Sequence, residues 1–374
     1  MKIGLITTID TNIGDDFIRE GICHLLQEIF KGEAIEYVSI NKHHPYSVYG
    51  PWHPVHLRQL ADHLPVGANH ARSAIESLFV HIRSTYFDSC DLIVQCGAPV
   101  FWPNCSGNEW AVPLWREVVA RLSSRIPVLN LAAGSCYPWR QQPRTLEPAA
   151  DAEYVKSILG YCRLTTVRDT LAKSLCESVA GEVQLLPCSA LLAPYGRIAQ
   201  SGEYILINYM AGGGHDFGWE LGIDPLQWET TVKQLIDLLG KRHKVAFLCH
   251  DQKEFSLSRS IAPDLPSFFP TTPAEYFDCV SKAKFAICNR MHASVGMAGM
   301  GIPSIAIGRD TRLLMVAQLG LPAHYVSDVS ADLLHQETER MLDSLDSEKE
   351  RLLTLQTVTR QGYLSSISEA LSRA

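Results

Sequence analysis

The chain lacks several common signals, and each absence narrows its chemistry. It has no excess of positive charge: 33 Lys and Arg stand against 40 Asp and Glu, a formal net charge of -7. A general nucleic-acid binder, which needs a basic surface to neutralise phosphates, is therefore not expected. A local basic site inside a cleft stays open. The eleven cysteines are scattered, with no Cys-x-x-Cys pair. Cys96, Cys249 and Cys288 fall in apolar or helical stretches, where a free thiol behaves as a small hydrophobe. Reduced thiols and a cytosolic, cytoplasmic protein are expected, not a disulfide framework. No apolar run approaches a membrane span, so no integral membrane segment is expected. Ile3–Thr7 reads as a strand, not as a charged start before an apolar targeting core. No Gly-Lys-Ser or Gly-Lys-Thr follows a glycine loop, which excludes a P-loop. There is also no repeat at solenoid periods and no low-complexity tract.

What is present suits a globular α/β enzyme. The 374 residues can fill two cores, and 46% hydrophobic with 20% charged residues is ordinary for such a protein. The densest stretch runs from Lys284 to Gly320. Phe285–Cys288 is a short apolar run of the kind buried in parallel sheets. His292–Met300 is rich in small residues and can form a helix lying close to a sheet. Gly301 and Pro303 end it, and Ser304–Ile307 starts the next strand. Asn289, Arg290 and His292 then sit at a strand-to-helix turn on the carboxyl edge of a sheet, where helix N–H groups favour an anion. An Arg and a His two residues apart there suit a phosphorylated or carboxylated ligand. A structural reading also stands, with the Arg paired to an acid and the His capping the helix.

From the N-terminus, the first strand leads through Asn12-Ile13-Gly14-Asp15 into an amphipathic helix that Asp15 or Asp16 can cap. Asn12 and Asp15 lie at that helix start beside the expected cleft, with ligand contact and a plain loop both open. Ile35–Ile40 is the second strand. The segment from about 41 to 83 holds seven of the fourteen histidines: His43, His44, His53, His56, His63, His70 and His81. No carboxylate joins them at ligand spacing, so a pocket-shaping insertion or dimer contact is preferred over a metal site. Asp91–Gln95 is a third strand, followed by a loop from Cys96 to Gly107. Phe101, Trp102 and Trp110 lie in or near it with Asn104 and Asn108, a grouping that can serve a sugar ring or simply pack. Trp110–Leu122 is expected as a helix, Val128–Ala132 as a strand, and Ala133-Gly134-Ser135 as a turn. Leu164–Val167 is a strand, and Arg168 follows it at the sheet edge with Asp169 capping the next helix. Arg168 is assigned to ligand binding, because adjacent side chains point apart and a pair with Asp169 is not expected. Pro194–Gly202 reads as a linker. After the strand Tyr204–Asn208, Gly212, Gly213 and Gly214 let the backbone approach a ligand before His215, or form a hinge. His250 follows the strand Lys244–Cys249 at another sheet edge. Ala331–Arg373 is helical.

The order Arg290-Met291-His292-Ala293, a small-residue helix, Gly301-Ile302-Pro303, Asp310 and a base at Arg312 resembles the polysaccharide pyruvyl transferase family. Asn12-Ile13-Gly14-Asp15 and Val167-Arg168-Asp169 agree, and the resemblance spans nearly the whole chain. It implies an α/β fold of two Rossmann-like domains facing across a cleft, GT-B-like, with a C-terminal helical segment. The expected division is 1–195 with the histidine-rich insertion on the acceptor side, 203–330 on the donor side, and 331–374 packing back on the first domain. It implies phosphoenolpyruvate as donor, a saccharide or glycolipid diol as acceptor, and a pyruvate ketal as product. Arg168, Arg290 and Arg312 are then candidates for the donor's anions and His292 for the general acid, with Asn12, Asp15, Gly213, Gly214, His215, His250 and Asn289 in substrate contact. No cofactor and no metal are expected, and a homo-oligomer is open. Two other functions remain: a GT-B glycosyltransferase using a nucleotide sugar, and a non-catalytic binding protein on the same scaffold.

Overall fold

A computed structural model describes residues 1–9, 12–44, 47–52, 70, 86–107, 115, 119–197, 199, 202–218 and 222–373. The segment around His53, His56, His63 and His81, together with Asn108 and Trp110, lies outside these residues. Short apolar strands alternate with amphipathic helices, and the strands assemble into two parallel six-stranded sheets. The first holds β1 (Lys2–Thr7), β2 (Glu36–Asn41), β3 (Leu92–Phe101), β4 (Val128–Ser135), β5 (Leu164–Val167) and β6 (Gln184–Leu185), in the order β2-β1-β3-β4-β5-β6. The second holds β7 (Tyr204–Asn208), β8 (Lys244–Leu248), β9 (Ser267–Phe268), β10 (Ala283–Cys288), β11 (Ser304–Gly308) and β12 (Ala323–Tyr325), in the order β12-β11-β10-β7-β8-β9. In each sheet the chain starts on an inner strand and reverses direction once. A crevice must open at the carboxyl ends on either side of that reversal. The reversal falls between β1 and β3 in the first sheet and between β7 and β10 in the second.

The helices cover both faces. Among the described residues, those of five residues or more are α1 (Ile13–Ile29), α2 (Ala149–Tyr161), α3 (Thr170–Ala180), α4 (Pro225–Gly240), α5 (Gln252–Ile261), α6 (Pro273–Val280), α7 (Met291–Ala298), α8 (Leu313–Ala317), α9 (Ala331–Leu342) and α10 (Leu345–Ser372). One apolar cluster runs continuously from Phe17, Ile18 and Leu129 in the first half to Phe277, Val295 and Met297 in the second. Two further clusters fill the outer layers of each half. The small residues of α7 serve this junction. A Cβ on Gly296 would press on Phe17 and Phe277, and one on Gly299 would strike the Leu191 carbonyl at 2.3 Å. Helix α7 thus lies close to α1, and not only to its own sheet. Helix α10 crosses back over the first half: Tyr363 donates to the Pro187 carbonyl at 3.0 Å, and Gln356 to those of Leu191 and Gly299 at 3.0 and 2.8 Å.

Three local expectations are corrected. The N-cap of α1 is Asn12, whose Oδ1 accepts from Gly14 N at 3.0 Å; Asp15 and Asp16 occupy the first turn instead. Strand β3 continues through Phe101, so Cys96 begins no loop, and Ala133-Gly134-Ser135 prolongs β4 beside it. Their small side chains suit a second pleat as well as a turn. Helix α5 was not foreseen, although Asp251 accepts from Glu254 N three residues on, a cap signal readable in the sequence.

Candidate active site

The two crevices face each other. Asn12 from the start of α1 and Gly213, Gly214, His215, His250, Asn289, Arg290, His292, Asp310 and Arg312 from the second half line one narrow cavity with about 30 Å³ of free space. Close approach is built in: a Cβ on Gly14 would lie 2.9 Å from His292 Cβ. Asp15 follows in the same turn and acts electrostatically on Lys42 and Arg312. A larger groove opens near the amino end of β5, lined by Arg163, Leu164, Glu182 and Ser366, far from these loops.

The three arginines expected to hold anions differ sharply. Arg290 is buried and fully engaged: Nε donates to Glu254 at 2.5 Å, Nη2 to Asp251 at 2.6 Å and Nη1 to His215 at 2.7 Å. It lines the cavity, but as a cation whose charge two carboxylates already balance. Arg312 grips Asp310 with Nε and Nη2 at 2.8 and 2.7 Å. That carboxylate raises its pKa further, against the effect of burial. Arg168 is 1% exposed, yet among the described residues no carboxylate forms an ion pair with it. Its Nη1 reaches His292 Nε2 at 3.2 Å and Cys188 Sγ at 3.6 Å, and its Nη2 has no partner. Gly134 makes room for it, since a Cβ there would meet Arg168 Nε at 2.4 Å. Asp169 turns away as expected, capping α3 through Ala172 N and accepting from Ser135.

The histidines are held neutral. Burial lowers His292 well below the ordinary value of 6.5, helped by Arg168 and Arg312. Burial does the same to His250, and takes His215 to about 3 with Arg312 and Arg290 adding to it. Their partners fix the tautomers. A guanidinium only donates, so Nε2 of His292 and of His215 accepts and Nδ1 carries the hydrogen. Asn12 Oδ1 only accepts, so His250 Nδ1 donates to it at 3.4 Å, while Tyr276 O–H lies 3.2 Å from Nε2. Asn289 is spent on the scaffold: its Oδ1 accepts from Met210 N and Trp228 Nε1, and its Nδ2 donates to Ile307 O. Its place is to tie β7, β11 and α4 together, not to present a free amide.

Lys42 was missed. It follows β2 at the same sheet edge, is buried, and lies in the field of Asp15 and Arg168; burial lowers it to about 8. Position after a strand was the available signal. Glu254 was missed with α5.

The sequence model for polysaccharide pyruvyl transferase matches residues 12–311, most of the chain and both walls of this cavity. The chain belongs to the polysaccharide pyruvyl transferase family. It is thereby a transferase, and a saccharide acceptor follows from the family. No curated protein sequence matches it. Its shape is similar to the UDP-GlcNAc 2-epimerase of Neisseria meningitidis bound to UDP-GlcNAc, with a TM-score of 0.54 at 11% identity over 100% of both chains. It is likewise similar to S. aureus MnaA with UDP, with a TM-score of 0.56 at 10% identity over 99% of this chain and 97% of that one. Acinetobacter baumannii MurG gives a TM-score of 0.50 at 12% identity, over 98% and 99%. These likenesses establish a GT-B fold. Among the described residues, no helix of this transferase is long and apolar enough to cross a membrane.

Proposed function

We propose that this transferase moves the pyruvyl group of phosphoenolpyruvate onto two hydroxyls of a saccharide, forming a ketal. One observation carries this reading: Arg168, buried against the cavity-lining His292 and not itself lining the cavity, is a guanidinium with an unpartnered Nη2 beside a neutral imidazole. A buried cation of this kind wants an anion, and phosphoenolpyruvate brings a carboxylate and a phosphate. Arg168 takes one of them. Arg312, partly exposed and already balanced by Asp310, and the nearby helix starts at Asn12 and Arg290 face the other.

The neutral state of His292 fits this order of events. Its Nε2 is occupied by Arg168, and burial, together with the surrounding cations, keeps a proton off it. Once the donor's charges cancel that field and draw Arg168 Nη1 to themselves, Nε2 is released and its proton affinity rises. The imidazolium then protonates the methylene carbon of the enol, and an acceptor hydroxyl attacks the cationic carbon and returns its proton to His292. The C–O bond to phosphate breaks, the second hydroxyl closes the ketal, and its proton leaves with phosphate. The scheme itself calls for no divalent ion. The test is incubation with phosphoenolpyruvate and a panel of sugars bearing free diols, read by mass. Addition of one pyruvate ketal with release of phosphate supports the reading. Sugar-dependent turnover of a nucleotide sugar, with phosphoenolpyruvate inert, overturns it.

A further inference from the structure

The loops beyond β4 and β11 do more than face each other. Residues 137–139 and 309–311 pair as a short antiparallel clasp across the cleft: Thr311 N donates to Tyr137 O at 2.9 Å, Trp139 N to Arg309 O at 3.3 Å, and Pro138 bridges Asp310. Thr311 is completely buried at its centre. Its Oγ1 accepts from Tyr137 N at 2.9 Å and lies 3.0 Å from Ser135 Oγ. Ser135 has one hydroxyl proton and gives it to Asp169 Oδ1 at 2.8 Å. Thr311 must therefore donate to Ser135. The result is a directional chain, from Tyr137 N–H through the Thr311 and Ser135 hydroxyls to the Asp169 carboxylate. Each bond polarises the next in a buried setting. Its two ends matter. Asp169 is the neighbour of Arg168, whose own N–H is fixed to Ala133 O at 2.9 Å. Thr311 lies between Asp310 and Arg312, the pair on the opposite wall.

We propose that Thr311 is a positioning residue that sets the distance between Arg168 and the Asp310–Arg312 pair, and thereby fits the cleft to a donor carrying two anions. The inference rests on the donor reading above, but the clasp itself is observable without it. The Thr311 hydroxyl registers the second wall on the first; Ser135 and Asp169 carry that register to the residue beside Arg168. Val has the shape of Thr but cannot donate to Ser135, and it leaves Tyr137 N unpaired in a buried place.

The test uses Thr311→Val and Thr311→Ser in the full chain, with Tm as the folding control. The first readout is amide hydrogen exchange at residues 135–140 and 309–312. The second is kcat and KM for phosphoenolpyruvate. Thr311→Val is expected to speed exchange at both segments and raise KM roughly 5- to 30-fold, the factor for one or two lost kcal/mol. Its kcat should change less, and Thr311→Ser should restore both readouts. Unchanged exchange in Thr311→Val overturns the clasp, whether or not phosphoenolpyruvate is the donor. Faster exchange with unchanged KM overturns the positioning role, and so does a Thr311→Ser variant as impaired as Thr311→Val. If the wild type binds no phosphoenolpyruvate, the donor reading fails and the positioning role for that donor falls with it. The exchange result then still decides the clasp.

Discussion

Replacing Arg290 by Ala separates the structural account of this residue from a ligand-binding one. Two carboxylates are affected unequally. Asp251 is 37% exposed at its side chain, so its pair with Arg290 is worth about 0–1 kcal/mol, as for surface pairs. Glu254 is 3% exposed and would be left as an uncompensated buried charge, a loss of about 3–5 kcal/mol in comparable cases. It keeps hydrogen bonds from Asn208 Nδ2 and His250 N, both at 2.8 Å, which places the expected loss near the lower end. At roughly 2–4 °C per kcal/mol, a loss of about 3 kcal/mol lowers Tm by roughly 6–12 °C. The sign of the pH dependence is fixed as well. Burial already raises the pKa of Glu254, and Arg290 opposes it. Without Arg290 the native state favours the proton still more, so the variant's deficit should grow as pH rises above the carboxylate range and shrink on acidification. Adding Glu254→Gln should recover much of the loss. Urea and thermal denaturation across pH measure all of this. If Arg290→Ala melts with the wild type and loses only donor affinity, the reasoning is refuted and Arg290 is a ligand after all.

Other outcomes follow from the same contacts. His215, His250 and His292 all have lowered pKa values, so the unfolded chain binds more protons; stability should fall as pH drops below about 6.5, and His292→Asn should flatten that slope. His292→Ala should lower single-turnover rate by roughly 10²–10⁴-fold while leaving donor affinity near wild type; an equal loss in affinity would make it a binding residue. Gly21→Ala would put a Cβ 1.9 Å from the Ser189 carbonyl and should cost about 1–3 kcal/mol in denaturant, whereas Gly160→Ala meets nothing within 4 Å and should not destabilise. Prolonged chelation should leave turnover unchanged; loss restored by one specific ion would contradict the metal-free scheme proposed for the site.

Much of this site was legible before any coordinates, because it is built from turns. A strand, a polar pair and a helix cap leave clear marks in sequence, and they placed Arg168, Arg290 and His292 at carboxyl edges. The partners of Arg290 were not legible, since Glu254 and Asp251 reach it from distant positions in the chain. Arg290 and Arg168 look alike along the chain, yet one meets two carboxylates and the other a thiol and an imidazole. Lys42 was hidden for a similar reason: only the fold turns the end of β2 toward Asp15 and Arg168. The strand lengths failed where residues were small. Ala133-Gly134-Ser135 has no side chain large enough to show alternation, and it reads equally as turn or strand.

The central claim is that Arg168 waits for an anion, and calorimetric titration with phosphoenolpyruvate tests it most directly. The wild type should bind, and Arg168→Ala should bind roughly ten- to a hundredfold more weakly, the worth of a charge-assisted hydrogen bond of about 1.5–3 kcal/mol. Arg168→Lys should recover only part, because an ammonium cannot make a bidentate pair. Equal affinity in the wild type and Arg168→Ala, with both proteins folded, would contradict the account.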